Sequence, residues 1–131
     1  MQKLLVIDDE AGIAEVIGLA AGQLGLQCQT VQDSSAAAEL FIDYHPDIVI
    51  LDLIMPGKDG VAVLHEILAT GIPAKIVLTS GFGDTYMRLA QGVARLHSAE
   101  QPVTLKKPFR RHELVDMLRG LIAETPPSLA C

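Results

Sequence analysis

Along the chain, short unbroken apolar runs alternate with longer stretches in which apolar residues recur every third or fourth position. Leu4-Leu5-Val6-Ile7, Ile48-Val49-Ile50-Leu51 and Ile76-Val77-Leu78 show no polar alternation, as expected of strands buried on both faces of a parallel sheet. Residues 26–31 form a more polar run, interrupted at Gln27 and Gln29 and followed by Gln32, which predicts a strand at a sheet edge. Residues 102–106 predict a short fifth strand.

Between these runs the period changes. Ile13, Val16, Ile17, Ala20, Ala21 and Leu24 mark one face of a first helix, with Gly25 where a C-terminal capping glycine belongs. Asp33 or Ser34 caps a second helix with the stripe Ala37, Leu40, Phe41 and Tyr44, ended by Pro46. Val61, Leu64, Ile67 and Leu68 mark a third, closed by Gly71 and Pro73. Residues 85–98 predict a fourth, with Met87, Ala90, Val93, Ala94 and His97 on one side, weakened by Gly92. Leu114, Met117, Leu118, Leu121 and Ile122 give the last.

Five strands alternating with five helices, without an internal repeat, predict parallel strands joined by right-handed crossovers. The expected architecture is an α/β, flavodoxin-like, doubly wound five-stranded parallel sheet, strand order 2-1-3-4-5, with helices on both faces. This order centres the apolar strands and leaves the polar second strand at an edge.

At 131 residues the chain has the size of one domain, expected over residues 1–123, with residues 124–131 a C-terminal tail or linker stub. The net charge of −6 and pI near 5.0 argue against direct nucleic-acid binding, which needs gathered Lys and Arg. The nearest approach to a basic cluster is Lys106, Lys107, Arg110 and Arg111, more often a solvated helix start. No run has the length of a membrane span or the layout of a signal peptide. Cys28 and Cys131 are too few and too badly placed for a disulfide framework, and a reducing cytoplasm is the expected location.

In the expected topology the ends of strands one, three, four and five open on one crevice. Their terminal residues are Asp8 and Asp9, Asp52, Thr79 or Ser80, and Lys106 or Lys107. Carboxylates meeting in a small space raise one another's pKa unless a cation intervenes, and Mg²⁺, which takes few carboxylates and leaves room for phosphate oxygens, suits such a site. Taken singly, each residue has a plainer explanation. Acids after a strand cap the next helix, Asp52 and Ser80 suit turns, and a lysine before proline is commonly a surface group. Their coincidence at one edge of four strands is what independent capping does not predict.

Ile7-Asp8-Asp9-Glu10, Leu51-Asp52-Leu53-Ile54-Met55-Pro56-Gly57-Lys58-Asp59-Gly60, Thr79-Ser80-Gly81-Phe82-Gly83-Asp84 and Lys106-Lys107-Pro108-Phe109 together resemble the receiver domain of two-component response regulators, over residues 3–122. The resemblance implies that Asp52 is the phosphoacceptor, supplied by a sensor histidine kinase or phosphotransfer protein. It implies Mg²⁺, replaceable by Mn²⁺, held by Asp9, Asp52 and the backbone carbonyl of Ile54, with Asp8 binding directly or through water. Lys107 would hold a phosphoryl oxygen, and Lys107-Pro108 would be a cis peptide.

The same resemblance makes Ser80, followed by Gly81, the switch hydroxyl, with Thr79 its neighbour on the strand. On phosphorylation the surface of the fourth helix, fifth strand and fifth helix would change and act on an output domain or target protein, or form a homodimer. Thr104 stands where the family usually has the aromatic partner of the switch, so aromatic reorientation is not the expected relay. Ile54 and Phe82, both apolar, flank the acceptor and predict slow self-dephosphorylation. The chain would thus be a signalling domain that assists only its own phosphorylation and dephosphorylation.

Three other readings differ at particular residues. A phosphatase of the haloacid dehalogenase type needs a second acid where Ile54 stands. A flavin mononucleotide carrier needs a hydroxyl- and glycine-rich phosphate loop where the first strand ends in acids. A degenerate receiver would lack site residues that are filled here.

Overall fold

The structure is a computed structural model that describes residues 2–81 and 85–124. Phe82, Gly83 and Asp84, and the tail from Thr125 to Cys131, lie outside the described residues, as do the expectations placed on them. The elements are β1 (Lys3–Ile7), α1 (Ala11–Gln23), β2 (Gln27–Val31), a 3-10 turn (Ser34–Ala36), α2 (Ala37–Tyr44), β3 (Ile48–Asp52), α3 (Gly60–Ala69), β4 (Lys75–Ser80), α4 (Thr85–Leu96), β5 (Val103–Lys106) and α5 (Arg111–Glu124).

All strand pairs are parallel and the order is β2-β1-β3-β4-β5, the flavodoxin-like order that the alternation of periods predicts. The three apolar runs occupy the centre, and every residue of β3 is buried. No residue of β2 is buried and only Leu105 of β5 is, so the polar strands lie at the edges, where one face and one side meet water.

Side-chain alternation divides the core into two layers. Leu4, Val6, Ile48, Ile50, Val77 and Leu105 pack with Ala14, Ile17 and Ala21 of α1 and Leu114, Leu118 and Leu121 of α5. Leu5, Ile7, Val49, Leu51, Ile76 and Leu78 face Phe41 of α2, Val63, Leu64 and Ile67 of α3, and Ala90 of α4.

Local differences from the expected elements have physical causes. Val16 is exposed and Ala14 buried on α1, so the buried stripe is Ala14, Ile17, Ala20 and Ala21, set partly by small residues that the larger apolar side chains do not mark. The second helix begins as a 3-10 turn, since Asp33 Oδ1 accepts from Ser35 N at 3.0 Å and Ser35 Oγ donates to the same oxygen at 2.6 Å. That local bond competes with a regular helical first turn. The fourth helix stops at Leu96, two residues early, where Ser98 takes φ +53 and Ala99 N closes onto Ala94 O at 2.9 Å.

Candidate functional site

Two of the three central strands, β1 and β3, run into acids whose direction the layers explain. Asp8 continues the face of Leu4 and Val6, and Asp52 that of Ile48 and Ile50, so both carboxylates stand on the α1/α5 side of the sheet. They are 1% and 3% exposed. Lys107, one step beyond β5, continues the face of Leu105 and brings its ammonium to both: Nζ is 2.9 Å from Asp8 Oδ2 and 3.2 Å from Asp52 Oδ2. Glu10 Oε1 is 3.3 Å from the same nitrogen.

The end of β3 is held from behind. Ile54 N donates to Asp52 Oδ1 at 3.1 Å, which curls the chain back over the carboxylate. Asp59 caps α3 by accepting from Ala62 N at 2.9 Å, and Gly57 makes its turn at φ +79. Gly60 begins α3 directly against the end of β3: a Cβ there would collide with the backbone carbonyl of Asp52 and with Leu53 Cα. The glycine is therefore required by close approach, not by its dihedral angles.

Burial pushes the Asp52 carboxyl up to about 6 from its ordinary 3.8. The Ile54 N–H works against that rise, the Asp8 charge adds to it, and Lys107 again opposes it. Burial also works against the Lys107 ammonium, but bonding to Asp8 and the charges of Asp52 and Asp8 outweigh it, and its pKa is raised. Asp8, almost fully buried, accepts from Glu10 N through Oδ1 and meets the Lys107 ammonium at 2.9 Å through Oδ2.

Asp8, Glu10 and Asp52 each bring a carboxylate oxygen within 4.8 Å of the others. Three acids against one ammonium, two of them almost sealed from water, fit a hard divalent cation with oxygen ligands. Glu10 is absent from the ligands expected from the sequence, and Asp9, which is expected there, is half-buried and outside this trio. The signal for Glu10 was its place one residue beyond the paired acids; its reach toward Lys107 depends on the turn in which Glu10 N donates to Asp8 Oδ1 at 2.9 Å.

The remaining expected residues gather at the same edge. Thr79 is the register partner of Asp52 and Ser80 that of Lys106. Thr79 is fully buried, on the face of Val77, and its Oγ1 has no hydrogen-bond partner. Ser80 is 5% exposed, and its carbonyl accepts from Lys107 N at 3.0 Å. Gly81 follows the strand, the Lys107–Pro108 peptide is cis, and Thr104 is exposed on β5.

Residues 4–119 match the family described as Response regulator receiver domain. The chain belongs to that family. Among relatives, this receiver domain is 30% identical over 128 residues to the phosphate regulon transcriptional regulatory protein PhoB of Pseudomonas aeruginosa, covering 95% of this chain and 53% of that protein. It is 29% identical over 125 residues to the response regulator MprA of Mycobacterium sp., covering 95% and 52%. The chain thus spans about half the length of the curated relatives it matches.

Solved structures agree on the architecture. The receiver domain of NtrX from Brucella abortus superposes with a TM-score of 0.75 at 26% identity, covering 93% of this chain and 99% of that one. The Francisella response regulator 1452 receiver domain gives 0.77 at 24% identity, covering 96% and 100%, a likeness of fold. Receiver domains are signalling modules that work with histidine kinases and output domains, and their acidic pocket is a Mg²⁺ site. Among the described residues no helix is long and apolar enough to cross a membrane.

Proposed function

We propose that this receiver domain accepts a phosphoryl group on Asp52 from a phosphohistidine of a sensor kinase or phosphotransfer protein. The observation that carries the reading is the ammonium of Lys107 at 3.2 Å from Asp52 Oδ2, with Asp8 and Glu10 on the same nitrogen. A carboxylate oxygen of Asp52 attacks phosphorus and the phosphorus–nitrogen bond of the donor breaks. The departing imidazole takes a proton, and the new bond is an acyl phosphate. Such a transfer needs positioning and neutralised charge more than covalent help.

The chain's residues divide that work. Ile54 N orients the attacking carboxylate through Oδ1, leaving Oδ2 toward Lys107. The ammonium supports charge on the phosphoryl oxygens. Asp8, Asp52 and Glu10, together with Asp9 and the Ile54 carbonyl that the family resemblance adds, would hold Mg²⁺ or Mn²⁺, which supplies charge neutralisation between carboxylates and phosphate. Incubation with Mg²⁺ and acetyl phosphate, followed by intact mass, tests this: one phosphoryl adduct is expected on the parent and none on Asp52→Asn. A parent that takes up no phosphate would overturn the reading.

Two hydroxyls compete for the switch. The Ser-Gly-aromatic-Gly-Asp pattern favours Ser80, while strand register favours Thr79, which shares the face of Asp52 and carries an unbonded hydroxyl. Comparing Thr79→Ala with Ser80→Ala, each phosphorylated and observed by amide chemical shifts in α4 and β5, separates them: the variant that loses the phosphorylation-induced shifts identifies the switch. The exposed apolar side chains Tyr86, Leu89, Leu96 and Val103 support α4, β5 and α5 as the surface offered to an output domain, a target protein or a second copy.

A further inference from the structure

His65, inside α3, and His97, on the closing turn of α4, are 32 residues apart in the chain, yet His97 Nε2 lies 2.9 Å from His65 Nδ1. We propose that these two imidazoles form a second metal site, for a borderline transition-metal ion such as Zn²⁺, Ni²⁺ or Cu²⁺, that pins the end of α4 to α3. The site shares no residue with the carboxylate group at the strand ends.

A hydrogen bond between two imidazoles needs one N–H and one lone pair, so the pair shares a single proton. Removing that proton leaves two lone pairs directed into the same small space. The ring planes are tilted by 56° with centroids 4.7 Å apart, shorter than a head-on arrangement with this nitrogen separation would give. The nitrogens therefore meet at an angle, as two ligands of one tetrahedral centre do. With zinc–nitrogen bonds of about 2.0–2.1 Å, two ligand nitrogens at a tetrahedral ion are about 3.3 Å apart, so the pair has to open by only about 0.4 Å.

Both rings stand on ordered supports. Val63, Leu64 and Ile67, fully or almost fully buried, anchor α3 around His65. His97 N donates to Val93 O at 3.2 Å, and the turn beyond it closes through Ser98 N to Arg95 O at 3.0 Å and Ala99 N to Ala94 O at 2.9 Å. Such anchoring on two helices limits how far the rings can drift apart. His65 is exposed and His97 half-buried, which leaves the other coordination positions to water.

Ligand type sets the ion. Imidazole nitrogens favour Zn²⁺, Ni²⁺ and Cu²⁺, with strength peaking at Cu²⁺, whereas Mg²⁺ prefers oxygens. Excess Mg²⁺ therefore should not compete. The test is a Zn²⁺ titration of tag-free, reduced protein in excess Mg²⁺, read by competition with a chromophoric chelator and by the ring proton signals of the four histidines. One equivalent bound, with the His65 and His97 signals moving and those of His45 and His112 still, is expected. His65→Ala or His97→Ala should weaken binding about tenfold or more, and His112→Ala should leave it unchanged. Absence of saturable binding, movement of the other two histidines instead, or single variants that bind as tightly as the parent would overturn the proposal. The parent's ring signals decide it by themselves if a variant folds poorly.

Discussion

The two ends of the sheet carry ion pairs of opposite character. At the amino edge Lys75 meets Glu100 through both carboxylate oxygens, at 3.0 and 3.1 Å, with side chains 27% and 74% exposed. At the carboxyl edge Lys107, 12% exposed, faces Asp8 and Asp52, both nearly sealed, and the more open Glu10. The first is balanced and solvated, and such pairs contribute little. The second holds more negative charge than one ammonium can offset, in a place where water cannot make up the difference. Charge number and burial, more than contact distance, separate an incidental pair from a site that needs a further cation.

The most severe break of this contrast is Asp52→Asn, which should abolish phosphoryl uptake in the mass assay while leaving the far-ultraviolet circular dichroism unchanged. Next is Lys107→Ala, which leaves two buried carboxylates without their ammonium. It should destabilise the metal-free protein by about 3 kcal/mol, less where Asp52 takes a proton, and Mg²⁺ should restore part of the loss. Urea denaturation with and without Mg²⁺ measures both.

A pH series sharpens the comparison. The folded-state pKa of Asp52, about 6, is above its ordinary 3.8, so the neutral form is the favoured one in the metal-free fold. Its stabilisation is complete below the lower value and is lost as pH rises through about 6. Asp52→Asn should therefore raise metal-free stability by about 1–2 kcal/mol near pH 8 and by almost nothing near pH 4. Mg²⁺ affinity of the parent should fall as pH drops through the same region, because the ion must displace that proton. A flat affinity profile would contradict the assignment. The smallest effect is expected at the amino edge: Glu100→Gln should change stability by no more than about 0.5 kcal/mol, diminishing with added salt.

Much of this was legible before any coordinates. Strand order followed from where the uninterrupted apolar runs fell, and strand order brought Asp8 and Asp9, Asp52, and Lys106 or Lys107 to one edge, because parallel strands end together; the choice of Lys107 came from the family resemblance. What resisted reading depends on side-chain direction or on a local bond. Thr79 and Ser80 are adjacent, and only register distinguishes the face of one from that of the other. Glu10 reaches the site because of a turn, not a period. The 3-10 start of the second helix comes from one aspartate oxygen taking two bonds, and the meeting of His65 with His97 depends on how α3 packs on α4, which neither helix's own pattern encodes.

Gly60 also limits how this domain can be altered. With the Asp52 carbonyl and Leu53 Cα against it, even alanine, the least bulky chiral residue, has no room unless α3 and β3 separate. Anyone diversifying this domain to retune partner choice can vary the outward positions of α3, but has to treat residue 60 as invariant, since whatever loosens that junction also moves the carboxylate it supports.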